Sequence, residues 1–146
     1  MKILSLIFLT VLMSKGCSEQ AKNDMENSVV QYTANTRGFH LQILVVNKKA
    51  TISQGRGTEN PSEQITITDA AWKELVTEFS KINLEEIPNL KDPTQKRFYD
   101  GAAIANLKIR YQGKDYETVA FDHGFPPAAI ENFVKKIVSL ANKSEK

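Results

Sequence analysis

The stretch AIANLKIRYQGKDYETVAFD, residues 103–122, decides the fold. Ala105, Leu107, Ile109 and Tyr111 recur at every second position, the period of a strand with one buried face. Gln112-Gly113-Lys114-Asp115 reads as a turn, since glycine admits the left-handed backbone that a tight hairpin uses. Residues 116–122 then return, with Val119 and Phe121 expected on the same side. A hairpin of this kind commits the chain to an antiparallel sheet.

Working outward, the hairpin is bracketed by two loops dense in polar and aromatic residues. Phe98-Tyr99-Asp100-Gly101 precedes it and Asp122-His123-Gly124-Phe125-Pro126-Pro127 follows it. The two ends of an antiparallel pair lie side by side, so Asp100, Asp122 and His123 are expected to converge. Pro126-Pro127 opens a last helix, because proline is tolerated in a first turn. Ile130, Phe133, Val134, Ile137, Val138 and Ala141 give that helix an apolar stripe. Upstream, Thr68-Asp69 is a helix start: a threonine cap, and an acid at the positive end of the helix dipole. Trp72, Leu75, Val76 and Phe79 follow at helical spacing. Ile82, Leu84, Ile87 and Leu90 anchor an irregular segment ended by Pro88 and Pro93.

A first hairpin lies before this helix. Residues 29–33 (VVQYT) are a short β-prone run. Phe39, Leu41, Ile43 and Val45 alternate with His40 and Gln42, and Leu44 and Val46 make the strand end apolar on both faces, which suggests a central position. Asn47-Lys48-Lys49 turns the chain, residues 50–53 pair back, 54–63 form a loop and 64–68 extend the sheet briefly. The expected fold is α+β in ββαββα order: an antiparallel sheet of four or five strands with two helices on one face, in one domain over residues 29–142 and a frayed tail at 143–146.

The N-terminus speaks to location. Met1-Lys2 is basic, and residues 3–13 are apolar but for Ser5 and Thr10. Eleven residues fall short of the roughly 20 that span a bilayer and suit a signal peptide over residues 1–16. Gly16 precedes Cys17, the sole cysteine of the chain. Cys17 is therefore read as a lipid acceptor, and residues 17–28 as a flexible polar tether. An ordinary secreted protein cut after Ser18 is the alternative, and a buried thiol in a cytosolic protein is the third reading. Lys15 is a departure from lipoprotein signals, which favour a small residue there. The single cysteine excludes an intramolecular disulfide. The net charge of the whole chain is +2, with 19 Lys and Arg against 17 Asp and Glu, and loss of Lys2 and Lys15 brings the basic count level with the acidic one. No basic stripe interleaved with aromatics occurs, so no nucleic-acid partner is expected.

Candidate binding residues are Arg37, Phe98, Tyr99, Asp100, Asp122, His123 and Phe125: aromatics as contacts, with Asp, His and Arg as polar anchors. Their plain structural reading is a pair of turns, with Asp122 capping the final helix. Residues 91–97 (KDPTQKR) read as a solvated loop in which Lys96 and Arg97 are placed to meet an anionic partner. No G-x-S-x-G, H-x-x-E-H or C-x-x-C spacing is present, so neither catalysis, metal nor cofactor is expected. Asp122 and His123 are neighbours in sequence, which turns side chains apart rather than making a catalytic pair.

The segments Tyr32-Thr33-Ala34-Asn35 to Arg37-Gly38-Phe39, Asp69-Ala70-Ala71-Trp72-Lys73-Glu74-Leu75, Lys96-Arg97-Phe98-Tyr99-Asp100-Gly101-Ala102-Ala103 and Phe121-Asp122-His123-Gly124-Phe125-Pro126-Pro127 resemble small uncharacterised lipoproteins of Bacteroidota-type bacteria. That resemblance implies a diacylated Cys17 and an envelope location, and the acidic residues after Cys17 resemble tags that direct such proteins to the outer face of the outer membrane. It implies no activity. The order of a Gly-Phe hairpin, a helix with spaced leucines, a second hairpin and a proline-opened helix is similar in plan to emfourin-type metalloprotease inhibitors. It carries over no inhibitory residue. The leading expectation is an outer-membrane-tethered binding module for an unknown protein or small ligand; a protease inhibitor and a hydrolase using Asp122 and His123 are the alternatives.

Overall fold

The computed structural model describes residues 16–57 and 59–143, the side chains of residues 16–18 excepted. The expected signal sequence before Gly16, the Cys17 thiol and the chain end at 144–146 lie outside the described residues.

The chain is α+β around one antiparallel sheet, as expected, but the sheet has seven strands rather than four or five, and the order is not ββαββα: four strands precede the helix at Asp69–Ser80 and three follow it. They are β1 (Val29–Thr36), β2 (Phe39–Val46), β3 (Lys49–Gly55), β4 (Ser62–Thr66), β5 (Ile104–Tyr111), β6 (Lys114–Glu117) and β7 (Phe121–Asp122). Their order is β4-β3-β2-β1-β5-β6, with β7 beside β5. The run at 29–33 is the start of the strand that joins the two halves: β1 pairs with both β2 and β5. β2 is interior too, but Leu44 and Val46 lie on an uncovered face, so apolar residues on both sides do not reflect cover on both sides. The expected loop at 54–63 is shorter, because β3 runs to Gly55 and β4 begins at Ser62.

Alternation explains which face is filled. Val30, Tyr32 and Ala34, Leu41, Ile43 and Val45, and Ala105, Leu107 and Ile109 are buried on one side. Helices α2 (Asp69–Ser80) and α3 (Glu131–Lys143) cover them. Thr68 caps α2 by accepting the Ala71 N–H at 3.2 Å, and Trp72, Leu75, Val76 and Phe79 are all buried, as the spacing predicts. In α3 the buried stripe is Phe133, Val134, Ile137, Leu140 and Ala141, with Ile130 just before it and Val138 at its margin. The turns Asn47-Lys48 and Gln112-Gly113 each place two successive residues at positive φ, the geometry that suits the twist of a two-residue hairpin.

Two expectations fail for physical reasons. The polar segment expected as a flexible tether contains helix α1 (Gly16–Glu26), packed on α2. Two apolar residues suffice to hold it: Ala21 and Met25 enter the core, and the Tyr111 hydroxyl donates to Asp24 at 2.6 Å. The return strand is also not continuous. Tyr116 and Thr118 are buried, then Val119 is half exposed and Phe121 is fully buried, so one extra residue shifts the alternation. Thr118 fills the gap with its side chain: its hydroxyl accepts the Leu107 N–H, and its own N–H donates to the Leu107 carbonyl, each at 3.0 Å.

Met25 is 1 % exposed, so Met25→Ala is expected to lower unfolding stability by about 2–5 kcal/mol, read by urea titration. A midpoint equal to that of the parent would return this segment to a loose tether.

Candidate functional site

The shift in β7 sends adjacent side chains in opposite directions. Phe121 enters the core, while Asp122 falls in the register row of the uncovered face, opposite Ile104, which is paired in turn with Asn35 and then His40. Asp122 is nevertheless fully buried, because the segment before β5 folds over it. Thr94 donates its hydroxyl to Asp122 Oδ2, Lys96 N–H donates to Oδ2 at 2.6 Å, Arg97 N–H donates to Oδ1 at 3.0 Å, and the Arg97 guanidinium reaches Oδ1 at 3.1 Å. Arg97 also donates to Asp92 at 2.8 Å and to the Thr94 carbonyl at 3.2 Å. Burial raises the carboxyl pKa, but the hydrogen bonds from Thr94, the two backbone N–H groups and the guanidinium outweigh it and bring it to about 2.

Asp122 therefore does not cap the last helix. It caps the short 3₁₀ turn Lys96–Tyr99, taking the first two N–H groups that such a turn leaves unpaired. The 91–97 segment is not simply solvated, and Arg97 is committed to Asp92 and Asp122. The turn ends at Asp100, whose φ of 58° is left-handed, and at Gly101, whose N–H donates to the Lys96 carbonyl at 2.7 Å. A Cβ on Gly101 would sit 2.9 Å from the Tyr99 ring and 3.1 Å from the Lys96 carbonyl oxygen, so a larger residue would crowd the turn and push the Tyr99 ring aside.

This anchored turn holds aromatic side chains in water. Phe98 is 71 % exposed and Tyr99 72 %. Arg97 stacks 4.5 Å from the Phe98 centroid, and Lys96 Nζ lies 3.8 Å above the Phe125 ring, each a favourable cation–π contact. Phe125 is held by its own turn, in which Gly124 has φ of 93° and Phe125 N–H donates to the Asp122 carbonyl at 2.9 Å. Exposed Ile104 starts β5 beside them.

His123 points elsewhere. Its Nδ1 is 2.7 Å from the Tyr32 hydroxyl, and its ring lies 5.5 Å from Phe39 and 5.9 Å from Tyr32. Burial lowers the imidazole pKa and raises that of the Tyr32 phenol. The pair borders a small cavity of about 170 Å³ against Pro126, Val134 and Val138. Asp122 and His123 thus engage separate partners, as their adjacency implies, and no carboxylate of this site orients the imidazole.

Of the seven candidate residues, Phe98, Tyr99, Asp100 and Phe125 share one exposed surface at the end of the sheet where β1 finishes and β5 begins. Arg37 is exposed in the β1–β2 turn at that same end. Asp122 is the support beneath, and His123 lies on the helix side. Sequence reasoning missed Thr94 and Asp92 as partners of the site, since their contacts span 28 residues for Thr94 and their side chains belong to no periodic element. A concavity of about 1240 Å³ lies between α1 and α2 over Trp72, Val76 and Phe79 at the opposite end of the sheet, away from the aromatic loop. No cluster of His, Cys, Asp and Glu able to hold a metal occurs among the described residues.

Comparison with protein-family models, with curated proteins and with solved structures finds no match.

Asp122 is ionised in the folded state at a pH where the unfolded carboxyl, near 3.9, takes up a proton. Its contribution is therefore complete above about pH 4 and is lost as pH falls towards 2. The stability gap between the parent and Asp122→Asn is expected to be wide at neutral pH and to narrow over that interval, by urea unfolding at stepped pH. A gap that stays constant down to pH about 2 would contradict it.

Proposed function

We propose that this protein is a bacterial envelope lipoprotein, held by lipid on Cys17 and cleaved before it, that acts as a non-catalytic binding module. The observation that supports binding is the exposure of Phe98 and Tyr99 on a turn fixed by a buried carboxylate. Large aromatics in water are not favoured by folding, and scattered ones are unremarkable. Here they are gathered with Phe125 and Ile104, and the loop that carries them is already ordered, which reduces the entropy lost on binding.

The direction of the surface supports an external partner rather than the anchoring membrane. α1 enters β1 at Val29, the end of the sheet opposite to Thr36 and Ile104, and the aromatic loop belongs to the latter end. A lipid anchor joined to the body through α1 therefore meets the sheet at the end away from the loop. Two acyl chains hold a protein durably, where one is marginal. The apolar segment at residues 3–13 and the near-neutral charge of the remainder agree with export and with a partner other than nucleic acid.

The test is crosslinking on intact cells expressing the parent, Cys17→Ala or Tyr99→Ala. Cys17→Ala is expected to leave the membrane fraction, and Tyr99→Ala to stay there, fold normally and lose its captured partner. Retention of Cys17→Ala in the membrane refutes the lipid anchor, and undiminished capture by Tyr99→Ala refutes the surface.

A further inference from the structure

The face of the sheet opposite the helices carries a field of mainly uncharged polar side chains. Register places Thr51, Leu44, Gln31 and Lys108 in one row and Ser53, Gln42, Thr33 and Asn106 in the next. None is buried: α2 and α3 pack on the other side, and the 3₁₀ turn Lys96–Tyr99 covers this side only at Asp122. Four strands at about 4.8 Å spacing make the field about 14 Å wide. Charges flank the field rather than enter its middle: Lys49 stands on β3 opposite Val46, one row beyond Thr51, and at the β5–β6 edge Asp115 lies 2.7 Å from Arg110 and 3.5 Å from Lys108. Asp122 belongs to the same face and fastens the turn carrying Phe98 and Tyr99 to its upper margin.

We propose that this face binds a neutral oligosaccharide, with Gln31, Gln42, Thr33 and Thr51 as hydrogen-bonding floor and Tyr99 and Phe98 as a stacking ledge. The inference rests on the reading of the aromatic loop as a recognition surface and names its ligand class. A sugar chain offers hydroxyls that both donate and accept, and amide and hydroxyl side chains answer both roles without a charge to desolvate. The C–H faces of sugar rings carry partial positive charge and suit the negative face of an aromatic ring. Within the two rows Lys108 is the one charged side chain and it pairs with Asp115, so a charged ligand gains little there. A polypeptide partner of ordinary size needs an apolar centre, and here the apolar side chains Leu44, Val46 and Val29 lie to one side of the polar rows, away from the aromatic ledge.

The experiment titrates the full chain, isotopically labelled and purified in detergent, with chitohexaose, maltohexaose and cellohexaose, following amide resonances. At least one hexaose is expected to shift the side-chain amides of Gln31 and Gln42 saturably. Tyr99→Ala, which removes an exposed ring and leaves the fold intact, weakens that binding about tenfold, and Gln42→Ala has a similar effect. Silence of the face with all three sugars overturns the proposal. So does recovery of a protein partner through Tyr99 on intact cells with no sugar response, which leaves the binding-module reading standing while removing its carbohydrate class.

Discussion

A carboxylate with no exposed surface must find all its partners inside the protein, and Asp122 finds four donors: one hydroxyl, two backbone N–H groups and a guanidinium. Taking a charge out of water is costly unless its lone pairs are met. The geometry of the 94–101 segment follows from meeting them. Thr94 and Arg97 must approach from the uncovered side of the sheet, the 3₁₀ turn must start at Lys96, and the chain must then leave through a left-handed Asp100 and a glycine to reach β5. Phe98 and Tyr99 stand in solvent because the turn beneath them has no freedom to fold them inward.

That interaction depends in turn on one extra residue. In a regular strand continuing from Tyr116, even-numbered residues would face the core, and Asp122 would enter it while Phe121 stood in water. The interruption after Thr118 reverses the phase. The Thr118 hydroxyl keeps the Leu107 N–H satisfied across the break, so the ladder loses little. Phe121 then completes the core beside Tyr32, their ring centroids 6.3 Å apart, and Asp122 faces the loop.

How much of this the sequence discloses depends on the range of the forces involved. The cap and stripe of α2 are set within four residues of each other and are legible. The strand faces of β2 and β5 are legible for the same reason, through alternation. The centrality of β1 is not, because pairing with β5 is decided some seventy residues later. Helix α1 lacks a legible stripe, and its place depends on Met25, Ala21 and a distant tyrosine hydroxyl. Both aromatic loops are visible as dense segments, and their convergence follows from antiparallel pairing. What alternation cannot disclose is a phase shift within a strand, so Val119 and Phe121 read as sharing a face. The role of Asp122 followed the same path: its partners Thr94 and Arg97 lie in a segment whose composition resembles any solvated loop.

The functional proposal stands on a loop that is rigid before it meets a ligand. Backbone hydrogen exchange measures that rigidity at the two amides concerned. Lys96 and Arg97 N–H, bonded to the buried carboxylate, are expected to exchange as slowly as the core amides of β5, and Asp122→Asn is expected to release them while β5 stays protected. Exchange of both amides at the rate of an unstructured chain in the parent protein would contradict the anchored turn.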